Sequence, residues 1–232
     1  CGPAPDPRTD DKPTSGIVTL VADQDLAPAL EAERTVFQGL YPKADVTIHY
    51  LPEAHAVAAM GADSVRCTVT YALPGADQAA ALEARRILAR PVPVFHDAIA
   101  VVVHPRNRIT QLTVDELRQA LDPGTAPARS LGAPVFVGSG SGVARSLIDS
   151  LGLSGIRGQA LASLDELVER VAADTTVLGL IAYNAIADLD DPRMRSLRER
   201  MRLVPVARTG DGTAILPSQS TIADRQYPLR RT

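Results

Sequence analysis

A chain of 232 residues with 45% apolar content is long enough for one large domain or two lobes with a sizeable core. Its formal net charge of −3, with 3% aromatic residues and no tryptophan, offers neither a basic surface nor a stacking platform for single strands, so no nucleic-acid partner is expected. No apolar stretch approaches the roughly 18–20 residues of a membrane-spanning helix.

Two cysteines occur, at opposite kinds of position. Cys1 leads Gly2-Pro3-Ala4-Pro5-Asp6-Pro7 and a polar continuation to Ser15, which reads as a flexible tether over 1–15. A cysteine followed by such a tether resembles a bacterial lipoprotein after signal-peptide cleavage, with acyl chains on Cys1 as a lipid anchor to a membrane at the cell envelope. Cys67 lies in Val65-Arg66-Cys67-Thr68-Val69-Thr70, where a buried free thiol is expected.

The apolar run 16–22 predicts a strand. Asp23-Gln24-Asp25 then precedes Leu26, Ala29, Leu30, Phe37, Leu40 and Tyr41, the spacing of an amphipathic helix with Asp25 as N-cap and Asp23 facing water. Strands at 45–50 and 66–70 flank a short alanine-rich helix at 52–60. This β-α-β-α-β order predicts an α/β domain with a largely parallel sheet, whose ligands sit beyond the carboxyl ends of the strands. An alanine-rich helix at 77–88 and a proline-rich passage lead to Ala98-Ile99-Ala100-Val101-Val102-Val103, apolar throughout and therefore a strand buried on both faces.

Thr113-Val114-Asp115-Glu116 and Ser163-Leu164-Asp165-Glu166 are capping boxes that open helices, and 176–182 is a second buried strand with Gly179 inside it. Between them Phe136-Val137 runs into Gly138-Ser139-Gly140-Ser141-Gly142, after which Val143, Leu147 and Leu151 recur at helical spacing. A strand, a tight loop and a helix start are predicted. Helix-start N–H groups, two hydroxyls and Arg145 one turn inside make a receptor for a small oxyanion, although the same residues also suit an ordinary Gly/Ser connection with a serine N-cap. The strand at 202–207 is read as the path back to the first lobe, and 215–232 as irregular.

Asp97-Ala98-Ile99-Ala100-Val101-Val102-Val103-His104-Pro105 followed by Leu112-Thr113, with Ser139-Gly140-Ser141-Gly142 and Arg145, Leu178-Gly179-Leu180-Ile181-Ala182-Tyr183, and Tyr227-Pro228-Leu229-Arg230-Arg231, resembles in order and spacing the phosphate ABC-transporter substrate-binding proteins, the PstS-like group. The resemblance implies an α/β, two-lobe, type II periplasmic-binding-protein fold that closes by a hinge on phosphate or a related oxyanion and delivers it to a transporter permease. The lobes implied are 16–98 with 205–232, and 99–204, in a monomeric periplasmic or envelope protein. Ligand contacts implied are Asp23, Gln24 and Asp25 after the first strand, Thr68, Thr70 and Tyr71 around the third, and Ser139, Gly140, Ser141, Gly142 and Arg145. This sequence departs from the family at Asp23-Gln24-Asp25, where hydroxyls are usual, at Thr70-Tyr71 in place of Ser-Arg, and at Val137-Gly138, where an arginine precedes the loop.

The other chemistries find no pattern. His49, His55, His96 and His104 lack metal-ligand spacing. Gly138 to Gly142 places glycine, not serine, at the centre of a nucleophile elbow, and the Walker lysine is missing. His96-Asp97 reads as hinge structure rather than a catalytic pair. Neither catalysis nor a cofactor nor a metal is implied.

Overall fold

The computed structural model describes residues 12–62, 65–71, 73–126 and 132–231. Cys1 and most of the expected tether lie outside the described residues. The chain divides into two units, Cys1–Pro91 and Val92–Thr232.

The first unit starts with a tight reversal at Lys12 and Ser15, which exchange two backbone hydrogen bonds of 2.9 and 3.2 Å, so structure begins before the end expected for the tether. Its elements are β1 (Ser15–Asp23), α1 (Ala27–Leu40), β2 (Lys43–Leu51), α2 (Glu53–Gly61), β3 (Thr68–Val69) and α3 (Ala76–Ala84). The strands form a parallel sheet in the order β2-β1-β3. Parallel pairing follows from the helical crossovers between successive strands. The buried apolar residues of this unit are few: Val21, Ala22, Leu26, Ala56, Val57 and Leu82. β3 spans only two residues because only Thr68 and Val69 pair with β1. Cys67 therefore stands just outside the strand and is exposed, not buried; its carbonyl accepts from the Val21 N–H.

In the second unit β4 (Asp97–Val103) is buried at every position, as its unbroken apolar run predicts. β5 (Leu112–Thr113), α4 (Val114–Leu121), β6 (Ala133–Val137), α5 (Gly142–Leu151), β7 (Gln159–Leu161), α6 (Leu164–Ala173) and β8 (Val177–Ala182) follow. The last elements are α7 (Pro192–Glu199), β9 (Arg202–Leu203), β10 (Val206–Ala207), α8 (Gln219–Ala223) and β11 (Arg230–Arg231). The main sheet runs β11-β4-β8-β6-β7, with β9 also on β4, and β10 pairs separately with β5. β6 is parallel to both β7 and β8, whereas β4 is antiparallel to β8. Helices α4, α5 and α6 contribute Leu117, Leu121, Leu147, Leu167 and Val171 to one core over this sheet.

Residues 205–231, expected in the first lobe, are grouped with the second unit. β10 is parallel to β5, β11 is antiparallel to β4, and the buried Tyr227 hydroxyl donates to the Ile99 carbonyl at 2.9 Å. Burying Ile222, Tyr227 and Leu229 in the core on β4 is what holds this segment there. At the start of β4 the Asp97 carboxylate accepts from the Asn184 N–H (2.9 Å), the Asn184 amide (2.7 Å) and Arg231 Nη2 (3.1 Å). Asp97 and Arg231 are both buried, so this ion pair fastens the C-terminal strand from inside.

Candidate functional site

The residues singled out by sequence fall into two groups, each at the carboxyl ends of parallel strands within its own unit. That end of a parallel sheet is where α/β folds place ligands.

In the second unit β6 delivers the chain to Gly138, whose N–H donates to the Leu161 carbonyl of β7 at 3.0 Å. Gly138 has a φ of +63°, a left-handed conformation that a side chain would strain, and it turns the backbone so that the Ser141 N–H reaches the Gly138 carbonyl at 3.3 Å. Ser141 is then the N-cap of α5: it is fully buried and its Oγ accepts from the Ala144 N–H at 3.3 Å. Ser139 stands exposed at the tip of the turn and Gly140 beside it is half-buried. Gly142 and Val143 open the helix, so the positive end of its dipole lies at the loop. One turn in, Arg145 Nε sits 3.8 Å from Asp149 Oδ2, with the arginine side chain 29% exposed. The loop thus gathers Ser139, Gly140, Ser141, Gly142 and Arg145 at one helix start, an arrangement with the chemistry of an anion receptor.

In the first unit β1 ends on Asp23, which is fully buried and whose Oδ1 accepts from the Asp25 N–H at 3.3 Å. This fixes the 3-10 turn Gln24–Leu26 that leads into α1. The expected roles of the two acids are therefore exchanged. Asp23 is the capping group and does not face water, while α1 itself starts from Leu26 with no side-chain cap, and Gln24 and Asp25 are half-buried in the turn. The cause is Pro28: it belongs at the first helical positions, which makes Leu26 the N-cap and leaves Asp25 one residue too early to cap α1.

Thr68, Thr70 and Tyr71 follow at the end of β3, all half-buried. The Tyr71 N–H donates to Glu53 Oε1 at 3.0 Å, and Glu53 is fully buried at the start of α2. Sequence reasoning missed Glu53. An acid in the first turn of a helix is ordinary, and only its bond to a residue eighteen positions on distinguishes it. The carboxyl-end rim of this unit thus carries three acids, Asp23, Asp25 and Glu53, two of them fully buried.

A cavity of about 840 Å³ opens at the opposite, amino-terminal end of β1 and β2, between Lys12, Ile17, Asp45 and Arg66. It includes none of the predicted ligand residues, and strand geometry favours the carboxyl rim as the site. Among the described residues no group of histidine, cysteine and carboxylate side chains is arranged to hold a metal ion. No helix among them is long and apolar enough to cross a membrane.

No curated protein sequence matches the chain. Among solved structures, it is similar to a candidate phosphate ABC-transporter substrate-binding protein from Clostridium perfringens with bound phosphate, at 15% identity and a TM-score of 0.69, covering 93% of this chain and 83% of that one. An ABC-type phosphate transport receptor from Vibrio cholerae has 14% identity and a TM-score of 0.66, with coverages of 93% and 84%. The CcmR regulatory domain of Synechocystis PCC6803 in complex with 2-PG has 11% identity and a TM-score of 0.59, with coverages of 94% and 85%. At such identities the likeness shows the fold, which is that of the type II periplasmic binding proteins. The PBP superfamily domain is matched over residues 7–232, and the chain belongs to that superfamily.

Proposed function

We propose that the chain is an extracytoplasmic solute-binding protein that captures phosphate or a related oxyanion and delivers it to an ABC-transporter permease. It binds and releases; it does not catalyse. The observation that carries this reading is the strand-turn-helix start at 137–145, where a capped helix N-terminus, the Ser139 hydroxyl and Arg145 converge on one loop. Asp23, Gln24, Asp25, Thr68, Thr70 and Tyr71 belong to the same proposal as candidate ligand contacts, and a carboxylate among them would accept a hydrogen bond from a monohydrogen anion. Tethering through Cys1 belongs to the same proposal and rests on the lipoprotein resemblance; mass spectrometry of the detergent-extracted protein tests it by the added acyl mass.

The test of ligand capture is thermal unfolding with and without phosphate, arsenate, sulfate or molybdate at fixed ionic strength. A ligand present at a hundredfold excess over its Kd adds about 2.7 kcal/mol of stability. A selective rise in Tm with phosphate or arsenate, lost in Arg145→Ala and weakened in Ser139→Ala, is the expected result. Ser141 is left intact, because removing a helix cap costs about 1 kcal/mol by itself and would obscure the reading. No shift with any of the four anions sinks it.

The acids Asp23, Asp25 and Glu53 favour a second reading, in which the fold is kept for a different solute. Carboxylates repel a dianion and suit a ligand that also carries donors. A Tm response to neutral or zwitterionic solutes without one to oxyanions is its signature.

A further inference from the structure

β2 is the open edge of the first unit's sheet. The strand order β2-β1-β3 gives it one neighbour, β1, in an unbroken register over all nine of its residues. The direction of its backbone groups follows from the far side of β1. There the Val21 N–H donates toward β3, to the Cys67 carbonyl, so the odd-numbered residues of β1 face β3 and the even-numbered ones face β2. In the parallel register the odd-numbered residues of β2 then face β1, and Ala44, Val46, Ile48 and Tyr50 turn their N–H and C=O groups outward. The Ala44 N–H agrees, since it leaves the sheet for the Tyr41 carbonyl at 2.9 Å. Among the described residues nothing pairs with the rest of that edge.

An edge of this length is normally blunted by a proline, a bulge or a central lysine. β2 has no proline and no bulge, and its one lysine, Lys43, is its first residue. Its side chains alternate. Ala44, Val46, Ile48 and Tyr50 are half-buried on the side of α1, where the Tyr50 hydroxyl donates to Glu31 at 2.8 Å, while Lys43, Asp45, Thr47 and His49 are exposed on the other face. Neither Asp45 nor His49 is in a salt bridge among the described residues. The unit behind this edge is thinly packed: α1 has no fully buried residue, and β3 adds only two residues to the sheet.

We infer that β2 is a dimerisation edge and that its occupant is β2 of a second copy of this chain, antiparallel about a two-fold axis through Thr47. The strand is complementary to itself in that register. It sets Asp45 opposite His49, Val46 opposite Ile48, Ala44 opposite Tyr50 and Lys43 opposite Leu51, and each pairing occurs twice. The outward groups of Val46 and Ile48 then bond to each other, and Asp45 and His49 form a close pair of opposite polarity on the exposed face. Moving the axis to Val46 or to Ile48 leaves Asp45 opposite Thr47 or Leu51, so charge selects the register centred on Thr47. Joined in this way, two narrow sheets become one of twice the width, which is what the thinly packed unit lacks. A single strand pair buries less than a standard interface, so the dimer is reversible.

Sedimentation velocity of the full chain over a concentration series reads the association. The mean mass should climb toward twice that of the chain; the monomer that the family resemblance implies, kept at the highest soluble concentration, overturns the inference. Thr47→Cys, made together with Cys1→Ser and Cys67→Ser to remove both native thiols, should cross-link to a dimer under mild oxidation. Only the residue on the axis meets its own copy, at a Cα separation of about 4.5 Å, within reach of a disulfide. Asp45→Cys in that background should cross-link only when His49→Cys is added. Thr19→Cys, exposed beside Thr47 but on β1, is the collision control. Equal cross-linking of the single thiols at positions 19, 45 and 47 refutes the register. Val46→Pro should give the monomer while the chain stays folded, since the N–H it removes faces outward and bonds nothing on β1. Asp45→Lys should weaken the dimer by roughly tenfold and His49→Asp added to it should restore association. A dimer indifferent to both exchanges uses another surface, and the inference falls.

Discussion

Gly179 sits in the middle of β8, and a methyl group at that point has nowhere to go. A Cβ built on it lies 2.6 Å from Val102 Cγ2 on β4, 2.9 Å from Val171 Cγ2 and 3.2 Å from Leu167 Cδ2 on α6. The two valine contacts are shorter than real Cβ contacts allow, and a valine methyl cannot swing aside without a change of rotamer or a shift of its backbone. Overpacking of this kind costs about 1–3 kcal/mol. Against it stands the loss of glycine's extra backbone freedom in the unfolded chain, which favours alanine by about 0.4–1 kcal/mol. The net expectation for Gly179→Ala is a destabilisation of about 1–2 kcal/mol, which lowers Tm by roughly 3–8 °C in a unit of this size. Scanning calorimetry of the full chain measures it. An unchanged or higher Tm would show that α6 and β4 are not pressed together at this point, and would undo the account of the second unit's core.

Three further outcomes follow from the same structure. Arg231→Met leaves the buried Asp97 carboxylate with only its bonds from Asn184 among those described above, and breaking a buried pair from one side costs about 3–5 kcal/mol. Urea unfolding should show it, with earlier proteolysis of the C-terminal segment. Leu117→Ala, at a fully buried position of α4, should cost about 2–5 kcal/mol by the same measurement. For pH, hydrogen bonds hold several carboxylates below their ordinary range: Glu31 by Arg34 and Tyr50, Asp122 by Thr125, Glu169 by Arg200, and Asp174 by Thr176. A lowered folded pKa contributes stability that is present above the unfolded value, about 4, and is lost as pH falls through the folded one. The urea midpoint should therefore fall only in acid below about pH 4.5. Glu169 is exposed and the other three are half-buried, none shut off from solvent, so 0.5 M salt should shrink the effect.

The parts of the fold legible in the sequence are those whose signal is local. β4 announces itself as six apolar residues, Ala98 to Val103, without a water-facing position, and the boxes at Thr113/Glu116 and Ser163/Glu166 cap α4 and α6 where their spacing says. The second box closes differently from the ideal, since Glu166 Oε2 accepts from the Ala162 N–H. α7 left no apolar period to read, because only Leu197 of its eight residues is buried and its helix rests on the Asp191 cap and Pro192. The C-terminal segment was misplaced for a different reason. What decides its position is the bond of Tyr227 to a carbonyl 128 residues earlier and the pairing of two residues with the start of β4, neither of which has a local signature.

The two groups of candidate residues, one in each unit, differ in the same way. The Gly138–Arg145 loop could be read because strand, turn, cap and helix are consecutive, and each residue's task is set by its immediate neighbours. The rim of the first unit could not, because Asp23 and Asp25 exchange roles according to where Pro28 allows α1 to begin, and Glu53 acquires its role only when β3 brings Tyr71 alongside. An anion loop built from a helix start accepts many oxyanions on similar terms, whereas a rim of buried carboxylates discriminates by which of them bring a proton to share. On the proposed oxyanion reading, the carboxylates of the first unit favour a monohydrogen anion such as phosphate over a fully ionised one such as sulfate, and the anion panel tests that preference.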